Sequence, residues 1–169
     1  MITLYMTMTV NGMIALPDGG VPWTKESWQR YQELAKTFPA IILGRKTFEL
    51  MQEGDEFKTI GNPYVVVLSK KLKEMKGADD FASSPEEAVH ILKKNKFDKV
   101  LLGGGAHVNR VFLDAGLVDE VILDVEPRIW GEGMPLFALG GDETEMQLKD
   151  VTRTDSGIVR LKYSVRRKK

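Results

Sequence analysis

The chain has no cysteine and only two histidines, His90 and His107, among its 169 residues. The missing cysteines exclude disulfides, thiolate nucleophiles and cysteine-ligated zinc. With two histidines, a metal site would have to rest mainly on carboxylates. We therefore predict no metal site.

The sequence also lacks a net charge and a long apolar run. Its 24 basic residues cancel its 24 acidic ones, which removes the general electrostatic attraction to nucleic acids and anionic membranes. No segment approaches the roughly 18 consecutive apolar residues of a membrane span, and the N-terminus lacks the pattern of a signal peptide. We expect a cytoplasmic protein that acts on a small molecule and binds neither nucleic acid nor membrane.

The length predicts a single domain over residues 1–169, in which strand-like and helix-like segments alternate. The stretch "LYMTMTV" (4–10) has the two-residue period of a strand, and "TKESWQRYQELAKTF" (24–38) has the spacing of an amphipathic helix. Three short apolar runs are typical of strands covered on both faces by helices. They are "AIILG" (40–44), "YVVVLS" (64–69) and "KVLLG" (99–103).

The C-terminal third returns to strands. The stretch "EVILDVEP" (120–127) predicts one strand, and residues 146–165 predict an antiparallel hairpin that turns at "TDSG". Parallel strands joined by helices and closed by such a hairpin form a three-layer α/β/α domain with a mixed, mostly parallel sheet.

Three strand ends carry residues suited to binding anions. They are "GRKT" (44–47), "LSKK" (68–71) and "GGGAH" (103–107), which combine helix starts, hydroxyls, cations and flexible glycines. In an open α/β sheet such turns collect at one edge, so together they predict a site for a ligand with several phosphates, such as a dinucleotide. The chain carries neither G-x-G-x-x-G nor the P-loop signature, which argues against a Rossmann or P-loop site.

Six stretches in order form a more specific combination. They are "MTVNGMIA" (8–15), "VPWT" (21–24), "ILGRKTFE" (42–49), "VLSK" (67–70), "LLGGGAHVNRVFLDAGLVDEV" (101–121) and "PRIWGEGMPLF" (127–137). This combination resembles the dihydrofolate reductase-like superfamily, most closely the C-terminal reductase domain of the bifunctional riboflavin-biosynthesis deaminase-reductase and its stand-alone relatives. The resemblance implies a dihydrofolate reductase-like fold with about eight strands, NADPH as hydride donor and a homodimer.

The same resemblance implies the residues that bind the cofactor. The adenosine and pyrophosphate end would meet Gly44, Arg45, Lys46 and Thr47, and the 2′-phosphate would lie near Ser69 and Lys70. The diphosphate and nicotinamide side would meet Gly103, Gly104, Gly105, Ala106, His107 and Val108, with a cis peptide between Gly103 and Gly104. The nicotinamide ring would lie beside Thr7, Asn11, Gly12 and Ile14.

Two departures separate the chain from dihydrofolate reductases. Those enzymes hold the pterin with a carboxylate in the first helix, where this chain has Ser27 and Trp28, with Glu26 one residue away. They also have an arginine just before the third strand, where this chain reads "IGNPYVVV" (60–67). We therefore do not expect efficient dihydrofolate reduction, although hydride transfer, which the cofactor supplies, is compatible with both changes.

Aromatic residues are the candidates for binding the substrate. Trp23, Trp28 and Tyr31 would form a flat apolar wall for a heteroaromatic ring. The helical spacing of Trp28 and Tyr31 is equally typical of ordinary core residues. Both interpretations stay open from the sequence.

The candidate catalytic residues are Asn11, Trp28 and Glu126. Asp124 and Glu126 share one face of an apolar strand, where a buried carboxylate would bind amino-pyrimidine N–H groups or relay a proton. Because Glu126 precedes Pro127 near the end of that strand, a carboxylate that faces water is the alternative.

We expect an NADPH-dependent reductase of a small heterocyclic, ribosylamino-pyrimidine or pterin-type substrate. Three alternatives are a diamino-ribosylamino-pyrimidinone phosphate reductase of riboflavin biosynthesis, a dihydrofolate reductase with an altered site, and a non-catalytic NADP-binding module. For the first alternative, cations available for a substrate phosphate are Lys58, Arg128 and Arg153.

Overall fold

The computed structural model describes residues 1–71 and 74–166. The strands are β1 (Ile2–Thr9), β2 (Met13–Ala15), β3 (Ala40–Gly44), β4 (Tyr64–Leu68), β5 (Asp80–Ala82), β6 (Val100–Leu102), β7 (Glu120–Glu126), β8 (Met134–Pro135), β9 (Met146–Arg153) and β10 (Val159–Val165). The helices are α1 (Lys25–Ala35), α2 (Arg45–Glu53), α3 (Glu56–Thr59), α4 (Pro85–Lys94) and α5 (Ala106–Asp114). Within these described ranges, no helix is both long and apolar enough to cross a membrane.

Eight strands form one sheet in the order β5-β4-β3-β6-β1-β7-β10-β9. Every neighbouring pair from β5 to β7 is parallel, whereas β10 pairs antiparallel with both β7 and β9. This confirms the predicted mixed, mostly parallel sheet of about eight strands with its C-terminal hairpin. A separate antiparallel pair, β2 with β8, was not predicted, because strands of three and two residues are too short to show a periodic pattern.

Alternate residues of the central strands enter two different cores. Leu4 and Ile42 pack with α4 and α5 on one face of the sheet, and their neighbours Tyr5 and Ile41 pack with α1, α2 and α3 on the other. The sheet is therefore a middle layer between two helical layers, as predicted. Burial on both faces explains why these strands read as continuous apolar runs.

The first helix is shorter than its sequence pattern predicts. It ends at Ala35 rather than at residue 38, and the Thr37 hydroxyl donates to the Leu34 carbonyl at 2.8 Å, which satisfies one of the last helical acceptors. Phe38 still turns into the core and is 4% exposed. The predicted apolar face therefore persists beyond the helix itself.

The helices begin in two different ways. Thr24 caps α1 by accepting the Ser27 N–H, and Ser84 caps α4 by accepting the Glu87 N–H, both at 3.2 Å. In contrast, α2 and α5 begin after glycines and have no side-chain cap. Their first backbone N–H groups remain available to a ligand.

Candidate active site

A groove runs between the starts of α2 and α5 at the carboxyl ends of β3, β4 and β6. Its volume is about 520 Å³. This glycine groove is lined by Gly44, Arg45, Lys46, Thr47, Leu68, Ser69, Lys70, Ser83, Ser84, Pro85, Gly105, Ala106, His107, Val108, Val111 and Met134. The structure thus brings the three predicted anion-binding turns together, and adds a fourth turn, residues 83–85.

The starts of α2 and α5 are held against each other. The Gly44 N–H donates to the Gly104 carbonyl at 2.7 Å. A Cβ at position 44 would lie only 2.9 Å from Val108 Cγ2, so the close approach requires glycine. Two uncapped helix N-termini, each the positive end of a helix dipole, therefore open onto the same groove and favour an anion there.

The glycine turn leaves the sheet after Gly103, as the predicted strand run 99–103 implies. The Gly103 N–H donates to the Ile42 carbonyl at 2.9 Å, so Gly103 still follows the strand. The cis peptide joins Gly104 and Gly105, and the prediction of a cis bond between Gly103 and Gly104 is wrong by one position. A Cβ on Gly104, whose φ is +78°, would overlap Met6 Cε.

A second depression, of about 570 Å³, adjoins the glycine groove. We call it the aromatic cleft. Its rings contact one another: Tyr31 stacks on Tyr5 at 5.7 Å between centroids and meets Trp28 edge-on at 6.1 Å. The predicted residues that line it are Thr7, Ile14, Trp23, Trp28, Tyr31, Arg45, Lys46, Thr47, Gly103 and Gly105. Trp28 and Tyr31 are half-buried and line the cleft, and Tyr31 also packs against the core beneath α1.

Tyr31 and Glu56, which both line the aromatic cleft, lie where burial disfavours their charged forms. Burial and the nearby Glu56 carboxylate raise the pKa of Tyr31 well above its usual value, so its hydroxyl stays protonated. Burial also raises the pKa of Glu56, which lines the same cleft. Tyr31 therefore remains a neutral phenol, whose O–H group can donate a hydrogen bond.

Glu126 is fully buried beside this cleft and does not face water. Its Oε1 accepts the Thr24 N–H at 3.0 Å, the Thr24 hydroxyl at 2.8 Å and a very short hydrogen bond from the Ser27 hydroxyl. Its Oε2 lies 3.1 Å from Arg128 Nε but accepts no well-aligned hydrogen bond from the described residues. Ser27 lines the aromatic cleft, so one hydrogen bond separates the Glu126 carboxylate from the cleft wall.

Asp124, two residues earlier on β7, has a different environment. It accepts hydrogen bonds from the Tyr5 hydroxyl at 2.7 Å, from Arg160 Nε and Nη2 at 2.7 and 2.6 Å, and from Arg30 Nε at 3.2 Å. Burial alone would raise the pKa of Asp124, but the hydrogen bonds from Arg160, Arg30 and Tyr5 outweigh burial and hold the pKa below its usual value. Asp124 is therefore a fully paired carboxylate that is ionised at neutral pH.

Asn11 connects two loops. Its Nδ2 donates to the Trp130 carbonyl at 2.7 Å, and its Oδ1 accepts the Thr9 hydroxyl at 2.7 Å. Trp130 in turn stacks on Trp23 at 4.8 Å. Asn11, Gly12, Gly104 and Glu126 are outside the lining of both depressions. The contacts of Asn11 thus support a role in holding the loop around Trp23, and its catalytic role stays a prediction.

The profile of the RibD C-terminal domain family matches residues 1–160. The chain belongs to this family. The uncharacterized protein YyaP of Bacillus subtilis (strain 168) is 27% identical over 175 residues, which cover 96% of this chain and 93% of YyaP. The family explains both the order of the six sequence stretches and the dihydrofolate reductase-like sheet.

Two crystal structures share this RibD-like fold. A Shewanella sp. PV-4 protein assigned to riboflavin biosynthesis superposes with a TM-score of 0.83 at 18% identity, covering 98% of this chain and 99% of that one. The diaminohydroxyphosphoribosylaminopyrimidine deaminase/5-amino-6-(5-phosphoribosylamino)uracil reductase of Thermotoga maritima superposes with a TM-score of 0.74 at 19% identity, covering 97% of this chain and 56% of that one. At these identities the likeness establishes the fold alone.

The sequence of this RibD C-terminal domain did not reveal every residue of the two depressions. Ser83, Ser84 and Pro85 were predicted only as a helix start, because the strand before them, β5, has three residues and shows no periodic pattern. Tyr5 and Glu56 carried no local signal, because only the packing of α1 and α3 on the sheet brings them to the aromatic cleft.

The glycine groove and the aromatic cleft of this RibD C-terminal domain share one wall. The residues that line both are Arg45, Lys46, Thr47, Gly105 and Met134. A Cβ at Gly105 would make ordinary van der Waals contacts with Met134 Sδ at 3.4 Å and Thr47 Oγ1 at 3.5 Å, so these three residues lie close together in the wall. Two molecules, one in each depression, would meet at this wall.

Proposed function

We propose that this protein is an NADPH-dependent reductase that delivers a hydride to a small heteroaromatic acceptor. The observation that carries the proposal is the shared wall, because hydride transfer needs a donor ring and an acceptor ring in direct contact. The glycine groove would hold the dinucleotide, and the aromatic cleft would hold the acceptor. Membership of the RibD C-terminal domain family supports a reductase of the pyrimidine-reductase type.

The glycine groove fits a dinucleotide with several phosphates. The uncapped starts of α2 and α5 offer backbone N–H groups to the diphosphate, with the Thr47 hydroxyl between them. Ser69 and Lys70, at the end of the groove next to β5, would meet the 2′-phosphate together with Arg45. When bound, NADPH supplies the hydride.

The protein's part in the reaction is to orient the acceptor and deliver one proton. The hydride would add to a C=N or C=O carbon, and the neighbouring nitrogen or oxygen would take the proton as the double bond becomes single. Ser27 is within reach of the cleft and is hydrogen-bonded to Glu126, so we propose that this pair relays the proton. Trp28 and Tyr31 would hold the acceptor ring flat and exclude water.

Binding and turnover measurements test this proposal in two steps. NADPH is titrated into the protein while tryptophan fluorescence is followed, and loss of NADPH absorbance is then measured with a panel of pterins and amino-pyrimidines. We expect NADPH to bind and at least one amino-substituted ring to be reduced. Binding without turnover on the whole panel would favour a non-catalytic NADP-binding module, and absence of NADPH binding would contradict both functions.

Removing the Arg45 guanidinium tests the choice of cofactor. We expect Arg45→Ala to weaken NADPH binding about tenfold and NADH binding little, because a charge-assisted bond to the 2′-phosphate is lost. Lys93→Ala, which removes an exposed cation on α4 outside both depressions, is the matched control. Equal weakening of NADPH and NADH would show that Arg45 does not recognise the 2′-phosphate.

We propose that the protein is a homodimer in which two copies associate through the outer strand, β9. All residues of β9 are exposed, including the apolar Met146, Leu148 and Val151. An exposed apolar edge strand favours association with a second copy. Sedimentation should show a dimer, and Leu148→Lys should shift it toward monomer; a monomeric wild type would contradict the proposal.

A further inference from the structure

The aromatic cleft holds more negative than positive side chains. Of the described residues that line it, four are acidic and two are basic: Asp18, Glu49, Glu53 and Glu56 against Arg45 and Lys46. A cleft with this balance repels a phosphate group that approaches it. The charge of its walls therefore disfavours an acceptor that carries a phosphate group.

The two cations of the cleft, Arg45 and Lys46, have interactions other than with an acceptor. Arg45 Nη1 lies 3.0 Å from Glu49 Oε1, which partly neutralises it. Arg45 and Lys46 also line the glycine groove, where the proposed function assigns Arg45 to the 2′-phosphate and the family resemblance implies that Lys46 meets the adenosine and pyrophosphate end of the cofactor. Within residues 1–71 and 74–166, no salt bridge neutralises Glu53 or Glu56 in return.

The other cations that the sequence offers for a substrate phosphate are not directed at this cleft. Lys58 Nζ pairs with Asp55 Oδ2 at 2.7 Å. Arg128 pairs with Glu126 and donates from Nη1 to the Pro22 carbonyl at 3.1 Å. Arg153 lies at the end of β9, which β10 separates from β7. A phosphate on the acceptor would find no uncommitted partner among these three.

The walls favour a different ligand chemistry. Stacked and edge-on rings of Tyr5, Tyr31 and Trp28 suit a flat ring. The Tyr31 hydroxyl donates, whereas the Glu126 carboxylate, reached through Ser27, favours an amino or ring N–H group. We infer that the acceptor is a phosphate-free, uncharged or cationic, amino-substituted heteroaromatic compound. The inference rests on the proposed function, which makes the ligand of this cleft the hydride acceptor and places the cofactor beside Arg45 and Lys46.

A matched pair of ligands tests the inference directly. The pair is 5-amino-6-(5-phosphoribosylamino)uracil and the same compound after removal of its phosphate with a phosphatase. Each is titrated into protein saturated with NADP⁺ while tryptophan fluorescence is followed. We expect the dephosphorylated form to bind about tenfold more tightly, because like charges repel the phosphate. Equal affinity, tighter binding of the phosphorylated form, or binding of neither form would overturn the inference.

Neutralising the carboxylates shows whether they set the preference. The double variant Glu53→Gln, Glu56→Gln should reduce the preference for the dephosphorylated form about threefold, because two like charges are removed. Glu33→Gln, an exposed change on α1 outside the cleft, should leave the preference unchanged. An unchanged preference in the double variant would count against the inference.

The failures of the two proposals are distinguishable. If NADPH and NADP⁺ do not bind, the proposed reductase function fails, and this is seen in the groove titration before any acceptor is added. If NADP⁺ binds and the phosphorylated acceptor is preferred, only the inference about the acceptor fails.

Discussion

Asp124 and Glu126 are two fully buried carboxylates on one face of β7, two residues apart, and their surroundings differ in almost every respect. Asp124 is enclosed by Arg30, Arg160 and Tyr5, all of which donate hydrogen bonds to it. One oxygen of Glu126 accepts from the hydroxyls and backbone at the start of α1, and the other lies 3.1 Å from Arg128 Nε. One strand therefore carries a carboxylate that joins β1, α1 and β10, and another that borders the aromatic cleft.

The difference shows that burial of a carboxylate is not by itself a sign of function. Two arginines satisfy Asp124 so completely that it has no remaining acceptor capacity to offer a ligand. Glu126 keeps one oxygen without a well-aligned hydrogen bond and communicates with the cleft through the Ser27 hydroxyl. We therefore expect loss of Asp124 to affect stability and loss of Glu126 to affect turnover.

The largest expected effect is that of Asp124→Asn on folding. The change leaves two arginines without their counter-charge, and their side chains are only 21% and 25% exposed. We expect the free energy of unfolding to fall by about 3 kcal/mol, the lower end for a broken buried pair. Urea denaturation measures it, and Glu120→Gln, on the same strand, is the control with an expected loss below about 1 kcal/mol. A loss for Asp124→Asn as small as the control's would mean that the cluster is dispensable.

Glu126→Gln should lower kcat about 100-fold, the smaller end for loss of a general acid or base. The amide oxygen can still accept from Thr24 and Ser27, so the fold and the KM for NADPH should change little. Steady-state NADPH oxidation gives both constants, and urea denaturation checks the fold. A rise in KM with an unchanged kcat would assign Glu126 to ground-state binding and contradict the proton relay.

Ser27→Ala should have a smaller effect, a decrease of about tenfold in kcat, because a water molecule can replace the hydroxyl in a relay. The informative comparison is the double variant with Glu126→Gln. If the two groups act as one unit, the double variant should be no slower than Glu126→Gln alone. Multiplication of the two losses would show that they act independently.

The smallest effect is a change in acid stability. Because the pKa of Asp124 in the folded protein is below its ordinary value of 3.8, its stabilising contribution is present above that value and is lost as the pH falls through the lower, folded-state pKa. The difference in unfolding free energy between wild type and Asp124→Asn should thus be constant above about pH 5 and shrink below about pH 4. A difference that grows on acidification would contradict the lowered pKa.

Local patterns explain which parts of the site could be predicted from the sequence. The glycine groove follows from strand-end turns, since the carboxyl ends of neighbouring parallel strands meet at one sheet edge. Glu126 could be predicted as a candidate residue, but its hydrogen-bond partner could not. That partner, Ser27, is 99 residues away in the sequence and reaches Glu126 only when α1 packs beside β7. The same is true of Asp124, whose partners Arg30 and Tyr5 come from other elements.

The β2–β8 pair and the position of Glu56 could not be predicted, because the segments that form them are too short to show a periodic sequence pattern. The pair β2 and β8 joins segments of three and two residues, and its register is set by the loops around Gly12 and Trp130. Glu56 reaches the aromatic cleft because α3, of four residues, turns it inward after a left-handed Asp55. No hydrophobic period marks so short a helix.

The wall that the glycine groove shares with the aromatic cleft has a thermodynamic consequence. An occupant of either depression rests on Thr47, Gly105 and Met134, and so changes the surface that the other occupant meets. By linkage, the factor by which the first ligand alters the affinity of the second must equal the factor by which the second alters that of the first. The affinity measured for one ligand therefore depends on whether the other depression is occupied. A titration with one ligand alone measures binding to a different surface from a titration in the presence of both.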